Sequence, residues 1–142
     1  MSSLSSQLQR RGTLSEAEQS WILQLSADWQ LLTDLSCADV VLWVHTKDDD
    51  FVAVAQGRPS SAPTLFYRDL IGQSVREQWA ASVRRAYEEG ITVRSTEPDW
   101  FDEIPTQLLV TPVFCRLPGE GVSEHPIAVI TRHTNLGSTR SI

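Results

Sequence analysis

Residues 28–64, DWQLLTDLSCADVVLWVHTKDDDFVAVAQGRPSSAPT, constrain the fold more than any other stretch of the chain. The runs VVLWVH and FVAVAQ are short, apolar and rich in β-branched residues, and they flank Lys47, Asp48, Asp49 and Asp50. Two such runs around a polar turn predict a β-hairpin. The end of a long amphipathic helix precedes it and a Pro/Ser-rich loop follows. No catalytic constellation lies within the stretch.

The helices are legible from their ends. Ser15 followed by Glu18 forms a capping-box pattern, in which each side chain satisfies a backbone donor at a helix start. Beyond it Trp21, Ile22, Leu25, Trp29 and Leu32 recur at three- and four-residue steps, with Gln24, Asp28 and Thr33 turned away. A helix over about 16–35 is expected, its tryptophans serving core or dimer packing. Ser74 with Glu77 predicts a second capping box and a helix over about 75–89. Val75, Trp79, Val83, Ala86 and Tyr87 step along one face of it, and Gly90 suits a left-handed C-terminal cap. Arg76, Arg84 and Arg85 read as a solvated face balanced by Glu77, Glu88 and Glu89.

Strands account for much of the remainder. ITVRS follows the second helix, QLLVTPVFCRL and HPIAVITRH are the longest candidates, and the turn-rich PGEGVSE joins them. Pro112 predicts a bulge or an edge, and TLFYR is a weaker strand. The order helix, hairpin, loop, helix, strand, strand, strand predicts an α+β domain, an antiparallel sheet flanked by helices.

Composition narrows the function. With 142 residues, 41% hydrophobic and 21% charged, the chain suits one ordinary globular domain. A net charge of −6 disfavours nucleic acid and anionic membranes as partners. The longest unbroken apolar run, residues 40–44, is far short of the ~20 needed to span a bilayer. No apolar core follows the arginines near the N-terminus, so a signal peptide is not expected. Cys37 and Cys115 are far apart and form no CxxC, as in a reducing compartment. The expected location is the cytoplasm.

Chemistry finds little purchase. The seven glycines are scattered and form no phosphate-cradling loop. His45, His125 and His133 fall at predicted strand ends without metal-ligand spacing, and zinc wants three or four such ligands. The Asp48–Asp50 run lacks the spaced oxygens of an EF-hand loop and reads as a solvated hairpin tip. Cys37 follows a helix C-terminus, whose dipole opposes a thiolate. Cys115 sits in a strand whose neighbouring Arg116 points to the opposite face. No metal, cofactor or catalytic residue is required by the sequence.

The stretch 28–64, with RDLIGQSV, LLVTPV and IAVITRH further on, resembles the N-terminal domain of actinobacterial cytosolic sensor histidine kinases of the PdtaS type, a divergent GAF domain. The likeness spans roughly residues 26–133. It implies a GAF-like α+β fold and a signal-sensing role in a two-component system. It also implies PAS and ATP-dependent kinase domains in cis and a response regulator partner, in relatives of this type an RNA-binding antiterminator. The fragment itself is not expected to be an enzyme. A flexible N-terminus over 1–14, a sensor domain over 15–134 and the start of a linker over 135–142 are the expected divisions.

GAF domains commonly hold small molecules between one sheet face and overlying helices and loops, so the resemblance directs attention to the loop over 57–70. There Arg58, Tyr67 and Arg68 can hold an anionic or aromatic ligand by forked hydrogen bonds and stacking. His133, at the end of the last predicted strand, faces either that pocket or the next domain. The plainer readings are Arg58 capping a strand end and Arg68 simply exposed. TEPDWFDEIP carries Trp100 and Phe101 and is read as a lid or a packing clip. The AQGRP junction matches the family pattern in outline, and with alanine and glycine at Ala53 and Gly57 a thiol-based sensor on that strand is unsupported. The expected function is the N-terminal signal-sensing domain of a two-component sensor histidine kinase, regulating a kinase core outside this chain, with a homodimer and a small-molecule ligand as expected partners. Alternatives are a ligand-free dimerisation module using the first helix, and a thiol-dependent enzyme that would need Cys37 and Cys115 together in an accessible cleft.

Overall fold

The computed structural model describes residues 13–27, 29, 33, 38–58, 70–95, 99–101, 104–117, 119 and 121–136. Helix α1 spans Glu16–Ala27 and α2 spans Glu77–Glu89. The strands are β1 (Asp39–His45), β2 (Phe51–Gly57), β3 (Val93–Arg94), β4 (Asp99–Phe101), β5 (Ile104–Val113), β6 (Arg116–Leu117), β7 (Gly121–Val122) and β8 (Ala128–Asn135). The main sheet runs β2-β1-β8-β5-β3, with β4 also paired to β5, and every pairing is antiparallel. A separate ribbon, β6–β7, joins β5 to β8. The α+β class and the flanking helices are as the sequence predicts.

The hairpin β1–β2 forms where the acidic turn predicts it, and β1 then inserts beside β8 in the middle of the sheet. Its register shifts between Leu42 and Trp43, which leaves Val54 as an extra residue on β2. Both strands are buried on both faces, which explains their nearly continuous apolar runs. The outer edge of β2 is closed by the segment before α2. Gly72 N–H donates to Ala53 O (2.8 Å), Ala53 N–H to Gln73 O (3.0 Å) and Val75 N–H to Phe51 O (2.9 Å). Pro112 stays in register opposite Val129 without a bulge, and it lies past Val110, where the pairing of β5 with β3 ends. The edge reading of that proline therefore holds.

Two cores sandwich the sheet. On one face Val41, Trp43, Phe51, Ala53, Val110 and Val129 pack under Trp79, Val83 and Ala86 of α2. On the other, Val40, Leu42, Val44, Val52 and Ala128 pack under Ile22 of α1 and Trp29 beyond it.

The capping signals divide. Ser15 and Glu18 form the expected box, Glu18 N–H donating to Ser15 Oγ (3.2 Å) and Ser15 N–H to Glu18 Oε1 (2.9 Å). Ser74 does not cap α2. It bridges Val52 at the sheet edge, Arg76 occupies the N-cap without a side-chain bond, and the helix starts at Glu77. Gly90 closes α2 in the left-handed region (φ 67°), its N–H donating to Ala86 O. Thr33, expected to face outward, is fully buried: its hydroxyl donates back to Trp29 O (2.9 Å) and its side chain fills the space above Gly57. A Cβ on Gly57 would lie 2.9 Å from Thr33 Cβ, so glycine is required by this close approach. Residues 99–101, read as lid or clip, form β4 against Ile104, Pro105 and Thr106. The weak TLFYR strand, Leu32 and Cys37 lie outside the described residues.

Candidate functional site

One end of the α2 face departs from apolar packing. Cross-strand register places Asp39 beside His133 and His133 beside Leu108, with Thr131 one step along between Val41 and Val110. Thr106 lies one step beyond Leu108 on the same face. Asp39, Thr106, Thr131 and His133 are all buried, so four polar side chains gather in what is otherwise a hydrocarbon layer. Such groups cost free energy unless hydrogen-bonded.

The bonds run through Thr131. Trp43 Nε1–H donates to Thr131 Oγ1 (2.8 Å), and the same hydroxyl lies 2.8 Å from His133 Nε2. The His133 ring packs against Trp79 of α2, centroids 4.5 Å apart, and Trp79 meets Trp43 edge-on at 6.1 Å. The Arg76 guanidinium sits over the Trp79 ring at 5.5 Å. Burial, and secondarily the Arg76 charge, push the His133 pKa from 6.5 down to about 3. At neutral pH the ring is uncharged. It offers a hydrogen-bonding edge and a stacking face rather than a charge.

A depression of about 680 Å³ opens beside this cluster at the start of α2, lined among the described residues by Arg76, Glu77 and Gln78. Gln56, at the end of β2, accepts a bond from Leu70 N–H through Oε1 (2.6 Å) and so holds the chain that returns toward α2. Arg58, the next residue after β2, is exposed. Tyr67 and Arg68 lie outside the described residues. His133 is thus brought to the α2 face, buried rather than presented at a rim.

Sequence reading missed Arg76, Trp79, Thr131, Asp39 and Thr106 as parts of one cluster. The alternation of β8 shows Thr131 and His133 on one face, but only the pairing of β8 with β1 adds Asp39. Arg76 read as surface charge because its position over Trp79 depends on where α2 starts.

The other chemistries leave less behind. Cys115 is buried among apolar residues of the α1 core, and its N–H donates to Ser123 Oγ (3.0 Å). Among the described residues, no group of three or more His, Cys, Asp or Glu is placed to hold a metal ion. Nor is any described helix long and apolar enough to cross a membrane.

An antiparallel sheet with helices on both faces, and a polar cluster beneath one of them, defines a GAF-like α+β domain. The chain belongs to the family described as the GAF domain of histidine kinase PdtaS, which matches residues 4–142. It is 31% identical over 113 residues to the sensor histidine kinase PdtaS of Mycobacterium tuberculosis, covering 75% of this chain and 20% of that protein. It is 39% identical over 70 residues to PdtaS of Mycolicibacterium smegmatis, covering 49% of this chain and 14% of that protein. A solved structure, the sensor region of a sensor histidine kinase, superposes with a TM-score of 0.68 at 30% identity, covering 94% of this chain and 43% of that one. The chain therefore spans about a fifth or less of the curated relatives it matches.

Proposed function

We propose that this domain is the N-terminal sensory module of a cytoplasmic two-component histidine kinase, and that it binds a small molecule on the α2 face of its sheet. The observation that carries the reading is the family match across residues 4–142. The polar cluster at His133 supports a ligand site, because packing alone gives no reason to bury Asp39, Thr106, Thr131 and His133 together. In this reading the buried His133 and Trp79 lie beneath the site, and Arg76 and the exposed Arg58 supply positive charge. The chemistry suits an anionic ligand with a planar ring.

The whole protein would carry PAS and kinase domains in cis and pass phosphate to a response regulator. Ligand occupancy regulates the kinase only if it favours one arrangement of the domain over another. The test compares autophosphorylation of the full-length kinase with that of a form lacking residues 15–134. A change of about fivefold or more is expected from ordinary coupling free energies. Equal rates with and without the domain would remove the sensory role.

The second reading is a ligand-free homodimerisation module built on α1. Leu23, a large apolar side chain that α1 leaves 40% exposed, favours it. A thiol-dependent enzyme finds no support in the buried Cys115.

A further inference from the structure

The end of the sheet opposite the polar cluster holds a second assembly of charged and aromatic side chains, centred on Asp49 at the β1–β2 turn. Asp49 is the non-glycine residue with positive φ (59°) among the described residues. That conformation turns its carboxylate and its carbonyl toward α2. Arg84 of α2 donates from one terminal nitrogen to Asp49 Oδ1 (3.0 Å) and from the other to Asp49 O (2.7 Å). Asp49 Oδ1 also lies 2.9 Å from His45 Nε2 at the end of β1. One turn further along α2, Tyr87 stacks on the His45 ring (5.0 Å, 22°) and meets Phe51 edge-on at 5.2 Å.

The same residues reach the other face of the sheet. Thr13, just before α1, donates from Oγ1 to His45 O (3.4 Å), on the residue whose ring stacks on Tyr87. Thr13, Glu18 and Tyr87 line one cleft of about 370 Å³. The turn that carries Asp49 is itself braced, Thr46 N–H donating to Asp50 O (2.8 Å) and Asp50 N–H to Thr46 Oγ1 (3.0 Å). A stiff tip gripped by α2 on one side and by the start of α1 on the other is a connection between helices that pack on opposite faces.

We propose that the β1–β2 tip is a mechanical coupling between the two helices, in which Arg84 and Tyr87 of α2 hold Asp49 and His45 so that displacing α2 loosens the first turn of α1. The coupling goes beyond a sensory role and holds whether or not a ligand binds.

Amide hydrogen exchange on the chain tests it, reading Glu18 and Gln19, the amides bonded to Ser15 Oγ and Ser15 O. Arg84 touches neither residue, so a local effect of its loss stops at the hairpin. Arg84→Ala is expected to speed exchange at both amides about threefold or more. Arg85→Ala, which breaks only the ion pair with Glu89 within α2, is expected to leave them at the wild-type rate. Asp49→Asn, at an exposed position that keeps the backbone acceptor, is expected to act in the same direction as Arg84→Ala and serves if that variant does not fold. Faster exchange in α2 and the hairpin, with Glu18 and Gln19 unchanged in both Arg84→Ala and Asp49→Asn, would overturn the proposal.

Discussion

Protonating His133 in the folded domain would put a cation beneath Trp79, in a core already facing the Arg76 charge. The unfolded chain binds a proton on this ring below about pH 6.5, whereas the folded chain holds it neutral until about pH 3. More protons are bound in the unfolded state across that window, so stability falls as pH drops through it. The loss approaches about 1.4 kcal/mol per pH unit and reaches about 2 kcal/mol by pH 5. His133→Gln keeps a hydrogen-bonding edge for Thr131 and removes the titration. Urea unfolding at pH 7.5 and pH 5 should show wild type losing about 2 kcal/mol more than His133→Gln. Equal losses would mean that the ring is charged in the fold. Gly57 shows the opposite kind of constraint, a residue fixed by what it lacks. The Thr33 side chain occupies the space a Cβ on Gly57 would need, and no thiol or other side chain fits there.

At the scale of elements, the two serine–glutamate pairs look alike in sequence and do different work. Ser15 caps α1, whereas Ser74 belongs to the strip that seals the edge of β2. Ser15→Ala should cost about 1 kcal/mol, the ordinary worth of an N-cap, and Ser74→Ala should cost clearly less. Thermal unfolding of the two variants checks the ranking, and the reverse order would contradict the assignment. The contrast also shows what was legible beforehand. Local signals found the β1–β2 hairpin, Gly90 as the end of α2, and β5 and β8 as long strands, because apolar runs and turn residues act over short range. Thr33 was misplaced because helical periodicity puts it outside, while the close approach to Gly57 is tertiary. Asp49 is exposed, as a solvated hairpin tip should be, but its ion pair with Arg84 was not legible because the two lie 35 residues apart. The His133 cluster was glimpsed through one residue, since its other members meet only across strand pairings.

Across the whole molecule, one sheet carries two different faces. The α1 face is hydrocarbon at its centre, suited to fixed packing, and leaves Leu23 outward on the helix. The α2 face changes from hydrocarbon near Ala86 to the buried polar groups beneath Trp79. Those groups set at one end of a helix, with Asp49 gripping the other, suit a domain that converts occupancy into a small shift of α2. The family match assigns the chain to GAF domains of a histidine kinase, and the polar end of the α2 face is where the ligand proposed above would act.

Thermal unfolding of this domain against nucleotides, cyclic dinucleotides, metal ions and small metabolites tests that claim most directly. A true ligand at ~100 times its dissociation constant adds about 2.7 kcal/mol and raises the midpoint by roughly 5–10 °C. The account predicts such a shift for at least one compound, and its loss in Arg58→Ala or Arg68→Ala. No shift across the panel, with a midpoint that climbs with protein concentration, would contradict it and identify the domain as a dimerisation module.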